Sequence, residues 1–582
     1  MDIRENLFKS KINKTRLTNF ISFSSPFILI SVLDFFILNR GQFDFFSAET
    51  IAIFFSSGLT FFYQDFFSID NAINHHPQNI NTLLTIFFLI FNNLSFTSFL
   101  NYLNLIFYFN LLYLIFISIL FVFLNNEIKL TNLKIFVLSF ITACFPGTLF
   151  LSMFAPSGYL SYGISILPIV LNLYILMNYK NFSQISIKLS LVMLGFFLSI
   201  SYVHIIVIIS ALTILFFNFL KNKKLHEFQK FNNHFNFAEK FSFYTLLASL
   251  TYFVIRSVLF IFSIFIGYEG NYFYYFIGEF NILLCGAVFS LCFFYLFEKY
   301  ASFFYPFKYF IYPLSFGWLI GANIFAFGWF RSFFIKTFMG GTLIQSFDNY
   351  NSLEILESFK LFFSLSIVNY FIFISLILSL FLFLKKKNDK NSYLLIILSI
   401  FLNLILIKGS FSTQALIDQY NFNRLFQVSN IGLTLLIFLK LIKMNSRLVI
   451  FTFFILPILS YLEYFNIAIE IKETKSIKQK ADYIIDELHH ENKRIICYST
   501  FLPDRCNYVS SIFLANAKTS KNIIYNEENI INPQYLTNFS FRKGDILVSG
   551  KESNIQGERL FFWEEKKGRL NMNPYIEIKE IE

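Results

Sequence analysis

Long apolar runs constrain this chain more than any other feature of its sequence. A helix needs about 20 consecutive, mostly apolar residues to cross the hydrocarbon core of a bilayer. Thirteen runs of this kind lie at 20–38, 101–124, 134–153, 158–178, 187–203, 204–220, 241–267, 277–297, 305–327, 361–385, 392–408, 425–443 and 447–466. They predict an all-α polytopic membrane protein with about 13 transmembrane helices. Two shorter apolar segments, 46–63 and 80–94, are predicted to be interfacial helices.

The composition agrees with these runs. Hydrophobic residues make up 56% of the 582 residues and charged residues only 14%, whereas a soluble domain has about 45–50% apolar and about 25% charged residues. This balance argues against a soluble enzyme, a disordered chain and a disulfide-rich secreted module. We interpret the 87 phenylalanines as a coding bias that fills apolar positions, so a phenylalanine does not by itself mark a binding surface.

The basic residues predict how the chain is oriented in the membrane. The net charge is +11, and residues 468–582 hold seventeen basic and seventeen acidic residues, so the whole excess lies before residue 468. With a cytoplasmic N-terminus, 23 of the 30 basic residues before 468 fall on the cytoplasmic side, as the positive-inside rule requires. Topology therefore explains the excess charge, and no nucleic-acid partner is expected.

An odd number of spans places the C-terminal part of the chain outside the cytoplasm. There, a helical pattern over 471–491 and short β-branched runs at 494–498 and 545–548 predict a small α/β domain. The predicted parts of the chain are a cytoplasmic N-terminus at 1–19, a transmembrane domain at 20–466 and an extracytoplasmic α/β domain at 467–582.

Two of the five cysteines, Cys497 and Cys506, lie in this C-terminal part, nine residues apart. An extracytoplasmic location would allow them to form a disulfide, but their spacing alone does not establish one. The chain has no Walker loop, no dinucleotide fingerprint and no zinc-ligand spacing. ATP-driven transport is therefore not expected, and no organic cofactor is assigned.

Two long external loops, 39–100 and 328–360, are the predicted location of the chemistry. The first carries Asp44, Asp70 and His76 in a segment that is too apolar to be disordered. A carboxylate at a lipid boundary suits a general base or a ligand of a divalent metal, so a metal held by these three residues is an open alternative. The simpler alternatives are that Asp70 caps a surface helix and that His76 starts one.

Several short motifs follow the first predicted span in a characteristic order. Asp44 comes first, and a glycine follows 14 residues later at Gly58. The further motifs are His76-Pro77-Gln78, Phe145-Pro146-Gly147, Ser157-Gly158-Tyr159 and Tyr202-Val203-His204. This layout resembles the superfamily C membrane glycosyltransferases over roughly residues 20–466. Phe45, after the acid, and Gln78, where the family has a second proline, depart from the family pattern.

The resemblance implies an inverting transfer of a sugar from a polyprenyl-phosphate carrier to an acceptor outside the cytoplasmic membrane. Asp44 is the predicted catalytic residue, the base that takes the proton of the acceptor hydroxyl. Cationic side chains at the membrane surface would stabilise the departing phosphate, beneath a lid formed by the 328–360 loop. The predicted substrate-binding residues are Arg424, Arg331, His204, Tyr159, His76, Asp70 and Lys336.

The acceptor stays open between a glycan, a lipid and a protein, and membrane lipids are the other expected partner. The expected location is the inner membrane of a bacterium, with the chemistry at its outer face. A lipid-linked saccharide polymerase or ligase is one alternative, because it shares the donor. A flippase-type transporter is another, although it predicts an internal duplication that the sequence does not show. A scaffold built around the external domain is a third.

Overall fold

The structure is a computed structural model that describes helices before residue 326 and an α/β unit after residue 475. The described residues are 2–37, 55, 59, 89–91, 94–144, 164–178, 181–200, 237–247, 288–296, 299–325, 377, 455, 458–459, 461–462, 476–498, 503–519, 523, 529–533, 539–550, 552–564 and 575–582. The predicted lid loop at 328–360 lies outside them, and the three predicted parts of the chain stay predictions.

The first group consists of helices. They are α1 (Asp2–Ile37), α2 (Phe96–Ile128), α3 (Asn132–Cys144), α4 (Ile166–Met177), α5 (Gln184–Ile200) and α6 (Ala301–Phe325), with further helical residues at 237–247 and 288–296. At the start of α2, the hydroxyl of Ser95 accepts a hydrogen bond from the backbone N–H of Ser98, the usual role of an N-cap serine. The helix ends at Lys129, whose left-handed backbone lets its N–H donate to the carbonyl of Asn125.

The predicted fold class, an all-α polytopic membrane protein with about 13 transmembrane helices, is wrong. Of the helices that the structure describes, none combines the length and the apolar character needed to cross a membrane. The described part of α3 has 13 residues and α4 has 12, which corresponds to a rise of about 20 Å and about 18 Å, against a hydrocarbon core of about 30 Å. Residues 145–163, which the predicted runs at 134–153 and 158–178 include in part, lie outside the described residues.

The second group, here called the C-terminal unit, comprises the described residues from 476 to 582. It begins with a helix over residues 476–490. A five-stranded sheet follows, with strand order β2-β1-β3-β5-β4. Strands β2, β1 and β3 are parallel, whereas β5 pairs antiparallel with both β3 and β4. The elements are β1 (Ile495–Tyr498), α7 (Asp504–Thr519), β2 (Ile530–Ile531), β3 (Ile546–Ser549), β4 (Gly557–Glu564) and β5 (Tyr575–Ile581).

Both faces of this sheet are covered. The main core joins Ile485 of the 476–490 helix and Val509 of α7 to Ile546 and Ile578 of the sheet, all fully buried. A smaller cluster on other residues of the same strands joins Ile496, Leu547 and Ile581 to partly buried Phe539 and Ile555. Helix α7 connects the parallel strands β1 and β2, so its first turn follows the carboxyl end of β1.

Two buried charges on β5 are paired with each other. The side chains of Glu577 and Lys579 are 3% and 6% exposed, and Lys579 Nζ lies 3.2 Å from Glu577 Oε2. Arg559 of β4 donates from Nε to Glu577 Oε1 at 3.0 Å. Burying an ion is costly unless it is paired and hydrogen-bonded, and this triad meets that condition between neighbouring strands.

Helices α5 and α6 approach each other so closely that two glycines are required. A Cβ atom added to Gly317 would overlap the carbonyl oxygen of Val192, and one added to Gly195 would overlap that of Leu314. Small residues at a crossing point allow two helix backbones to touch. The pairing of α5 with α6 therefore depends on the absence of two side chains.

We expect Gly317→Ala to destabilise the protein by about 3 kcal/mol, because the methyl group would meet backbone and not a movable side chain. The measurement is the thermal unfolding midpoint of the purified chain, followed by tryptophan fluorescence. Ser190→Ala in α5 is the matched control, since the Ser190 hydroxyl makes no hydrogen bond that the structure describes. Equal midpoints for the two variants would contradict the close approach.

Candidate functional site

All eight residues predicted for the site lie outside the described residues. They are Asp44, Arg424, Arg331, His204, Tyr159, His76, Asp70 and Lys336. The metal site predicted as an alternative, at Asp44, Asp70 and His76, therefore also lies outside the described residues. Within the described ranges, no three His, Cys, Asp or Glu side chains lie close enough together to hold a metal ion. The described residues nearest to Asp44 along the 39–100 segment are Phe55 and Leu59.

Residues of the 39–100 segment are buried in the core of the C-terminal unit. Phe55, Leu59 and Phe99 are fully buried, and they belong to the same cluster as Tyr508 of α7 and Ile495 of β1. The junction is the name used here for the contact of α7 with Phe96 and Phe99 at the start of α2, together with Phe55 and Leu59 in the same cluster. It joins residues that are more than 400 positions apart in the sequence.

Four aromatic rings form the centre of the junction. The Tyr508 ring lies 5.9 Å from that of Phe96 and 5.7 Å from that of Phe99, centroid to centroid. Phe99 in turn meets Phe55 edge to face at 5.4 Å. These separations are the ones at which aromatic pairs attract beyond simple burial. The rings therefore connect α7, the start of α2 and residue 55 in one continuous packing.

Arg505 adds a cation to this aromatic group. Its guanidinium carbon lies 4.7 Å from the centroid of the Phe96 ring, which is a cation–π distance. The same side chain forms an ion pair with Asp486 of the 476–490 helix and is only 13% exposed. Arg505 is therefore fixed by Asp486 on one element and contacts Phe96 on another.

Asp482 of the 476–490 helix caps the start of α7. Its two carboxylate oxygens accept hydrogen bonds from the backbone N–H groups of Asp504 and Arg505, each at 3.2 Å. The first N–H groups of a helix have no partner within the helix, so an acid from another element can satisfy them. Burial, helped by the nearby Asp504 carboxylate, raises the pKa of Asp482 to about 8, against the opposing effects of Lys478 and the two N–H groups.

A disulfide completes the attachment of α7. Cys497 of β1 and Cys506 in the first turn of α7 are bonded, with their Cα atoms 5.6 Å apart. Both are fully buried within the main core. The first turn of α7 is therefore held by a covalent bond, by the cap from Asp482 and by the ion pair with Asp486. Sequence spacing left this disulfide open, and the structure forms it.

Sequence reasoning did not find the junction. Phe96 and Phe99 are two of 87 phenylalanines, so their residue type carried no signal. The usable signal was the pair Cys497 and Cys506 with Arg505 and Tyr508 beside it, a cation and a ring next to a potential cross-link. What the arrangement does is to pack Phe55, Leu59 and Phe99 against α7.

Comparisons with known proteins add no assignment. No family model matches the chain, no curated protein matches it, and no solved structure matches it.

The raised pKa of Asp482 predicts a pH dependence of stability. Because its pKa in the folded protein is above the ordinary value of 3.8, the folded state binds the proton more tightly than the unfolded state does. The free energy of unfolding should therefore fall as the pH rises from about 4 through about 8. In Asp482→Asn the unfolding midpoint should change less over this range. Glu558→Gln, at an exposed acid, is the control and should keep the wild-type slope; an unchanged slope in Asp482→Asn would contradict the burial effect.

The disulfide should stabilise the C-terminal unit measurably. Closing a loop with a sequence separation of 9 contributes about 2–3 kcal/mol in the chain-entropy model. We expect the double variant Cys497→Ala/Cys506→Ala to lose that amount in the free energy of unfolding, read from hydrogen exchange of β1 and β3 peptides. Cys292→Ala, at an exposed free thiol, should leave exchange unchanged. Free thiols at both positions of the isolated wild-type protein would contradict the bond.

Proposed function

We propose that the chain is a glycosyltransferase that moves a sugar from a polyprenyl-phosphate donor to an extracytoplasmic acceptor, with Asp44 as the general base. The observation that carries the proposal is the junction between the 39–100 segment and the disulfide-bonded C-terminal unit. Disulfides persist in oxidising compartments outside the cytoplasm. Phe55, Leu59 and Phe99 of the segment that contains Asp44 lie in the core of this disulfide-bonded unit. A unit of that kind outside the cytoplasm is on the side of the membrane where the proposed reaction uses lipid-linked sugars.

The proposed reaction is a single inverting displacement. Asp44 takes the proton of an acceptor hydroxyl while the hydroxyl oxygen attacks the anomeric carbon. The bond between that carbon and the phosphate oxygen breaks, and polyprenyl phosphate leaves with the electron pair. Positive side chains are needed where this charge develops. The proposed donors to the phosphate are Arg424, Arg331, Lys336 and His204, and the residues proposed to line the sugar are Tyr159, His76 and Asp70.

An exposed apolar stripe on α2 supports a lipid partner. Exposed apolar side chains recur on one side of the helix, at Leu112, Ile115, Phe116, Ile119 and Phe123. Each is between 43% and 61% exposed, and contiguous apolar surface of this kind usually marks an interaction site. We propose that lipid covers this stripe at the outer face of a bacterial inner membrane, where a polyprenyl carrier is also found.

Asp44→Asn should lower kcat by about 10²–10⁴-fold, the usual contribution of a general base. The measurement is the release of polyprenyl phosphate from a radiolabelled polyprenyl-phosphate sugar by membranes containing the chain at matched abundance. Asp65→Asn, an acid of the same segment with no assigned role, should retain activity within about threefold. Wild-type turnover by Asp44→Asn would exclude this residue as the base. Absence of transfer by the wild-type chain from hexosyl and pentosyl donors would overturn the proposed function.

A further inference from the structure

We propose that residues 288–300 form a lipid-contact surface, on which Lys299 binds the phosphate of a phospholipid headgroup. The 288–300 surface comprises the helical residues 288–296 together with Lys299 and Tyr300. The proposal concerns contact with one face of a bilayer. It goes beyond the proposed function, because it depends neither on sugar transfer nor on any residue assigned to that reaction.

The first observation is how much of this helix is exposed. Of the nine residues 288–296, seven are exposed, and only Ser290 and Phe293 are not. At about 100° per residue, the exposed positions span an arc of about 220° around the helix axis. Six of them are large apolar side chains, each between 38% and 69% exposed: Val288, Phe289, Leu291, Phe294, Tyr295 and Leu296.

The rest of the circumference holds the helix to the protein. The Phe293 ring lies 6.3 Å from that of Phe243, and the Phe294 ring lies 4.6 Å from that of Tyr244, centroid to centroid. A helix that packs on one protein surface needs an apolar stripe of about 100°, and the exposed arc is about twice that width. A fluid medium can cover the whole arc, whereas a single partner face cannot. Lipid acyl chains are such a medium.

One end of the surface carries groups that suit the boundary between acyl chains and headgroups. The ammonium nitrogen Nζ of Lys299 lies 5.9 Å from the ring centroid of Tyr295 and 5.9 Å from that of Tyr300, which are cation–π distances. The two tyrosines are 65% and 52% exposed. Tyrosine and lysine each join an apolar body to a polar tip, so both are favoured where one end is apolar and the other is wet.

The Lys299 ammonium supplies the charge that a phosphate requires. Among the side chains that the structure describes, it contacts these two rings and no carboxylate. Glu298 precedes it in the sequence, so residues 288–300 have no net charge, and recognition has to come from a local contact. An ammonium that donates to a phosphate oxygen makes a charge-assisted hydrogen bond of this kind. The occupant that fits both the apolar arc and this cation is a phospholipid.

The experiment places a polarity-sensitive fluorophore on Cys292, an exposed free thiol within the surface. The labelled full chain is reconstituted into phosphatidylcholine vesicles that contain either nitroxide-labelled phosphatidylglycerol or nitroxide-labelled diacylglycerol with the same acyl chains. We expect both nitroxides to quench the fluorophore more strongly than iodide in the water does. Cys292→Ala, labelled in parallel, gives the signal from other thiols, which is subtracted.

Lys299→Gln tests the phosphate contact. The ratio of quenching by phosphatidylglycerol to quenching by diacylglycerol should be about fivefold higher in the wild-type chain than in Lys299→Gln, which is the contribution of one lysine at a lipid surface. Quenching by diacylglycerol itself should be unchanged, because the apolar arc remains. Lys543→Gln, at an exposed lysine of the C-terminal unit, is the matched control and should keep the wild-type ratio.

Three results would count against the proposal. Stronger quenching by iodide than by either nitroxide would overturn the lipid contact. Self-quenching between labelled copies, without quenching by the nitroxides, would identify a second copy of the chain as the occupant and also overturn it. The same ratio in the wild-type chain and in Lys299→Gln would overturn the phosphate contact. None of these readouts measures sugar transfer, so absence of transfer by the wild-type chain would overturn the proposed function alone.

Discussion

The junction depends on how the first turn of α7 is fixed. A helix start carries N–H groups without partners, and here a buried carboxylate from Asp482 takes two of them. Burial removes the Asp482 carboxyl group from water, which disfavours its charged form and raises its pKa. The disulfide from Cys506 to Cys497 holds the turn against β1 independently of this carboxylate. The outer face of α7 is therefore already ordered where Phe96 and Phe99 meet it.

Two opposite packing solutions appear in one aromatic-rich chain. At the junction, large rings fill the space between α7 and α2, and an arginine covers the last of them. Between α5 and α6, Gly195 and Gly317 leave out side chains altogether, so that backbone meets backbone. Rings are adaptable in orientation and tolerate a modest gap, whereas a glycine contact fixes the distance between two helices. The junction is therefore built on ring volume next to a disulfide-bonded turn, and the α5–α6 pair on the absence of side chains.

Local patterns predicted the local elements of the C-terminal unit. The β-branched runs at 494–498 and 545–548 correspond to β1 and β3, and the helical pattern over 471–491 contains the helix at 476–490. Apolar windows did not predict helix ends, because composition carries no information on where hydrogen bonding stops. The junction joins distant residues through rings of the commonest residue type, so no local pattern distinguishes them. The predicted site residues lie outside the described ranges, and their assignment still depends on motif order.

The junction also links the contact between Phe55 and Phe99 to the ordering of α7, although these residues are remote in the sequence. Bringing Phe55 next to Phe99 closes a long stretch of chain, and the entropic cost of closure grows with the logarithm of its length. The contact between two rings offsets only a small part of that cost. Tyr508 and Arg505 supply the additional contacts, and they are available only when α7 is ordered on the sheet. The contact that brings Phe55 next to Phe99 is therefore most favourable once the C-terminal unit has folded.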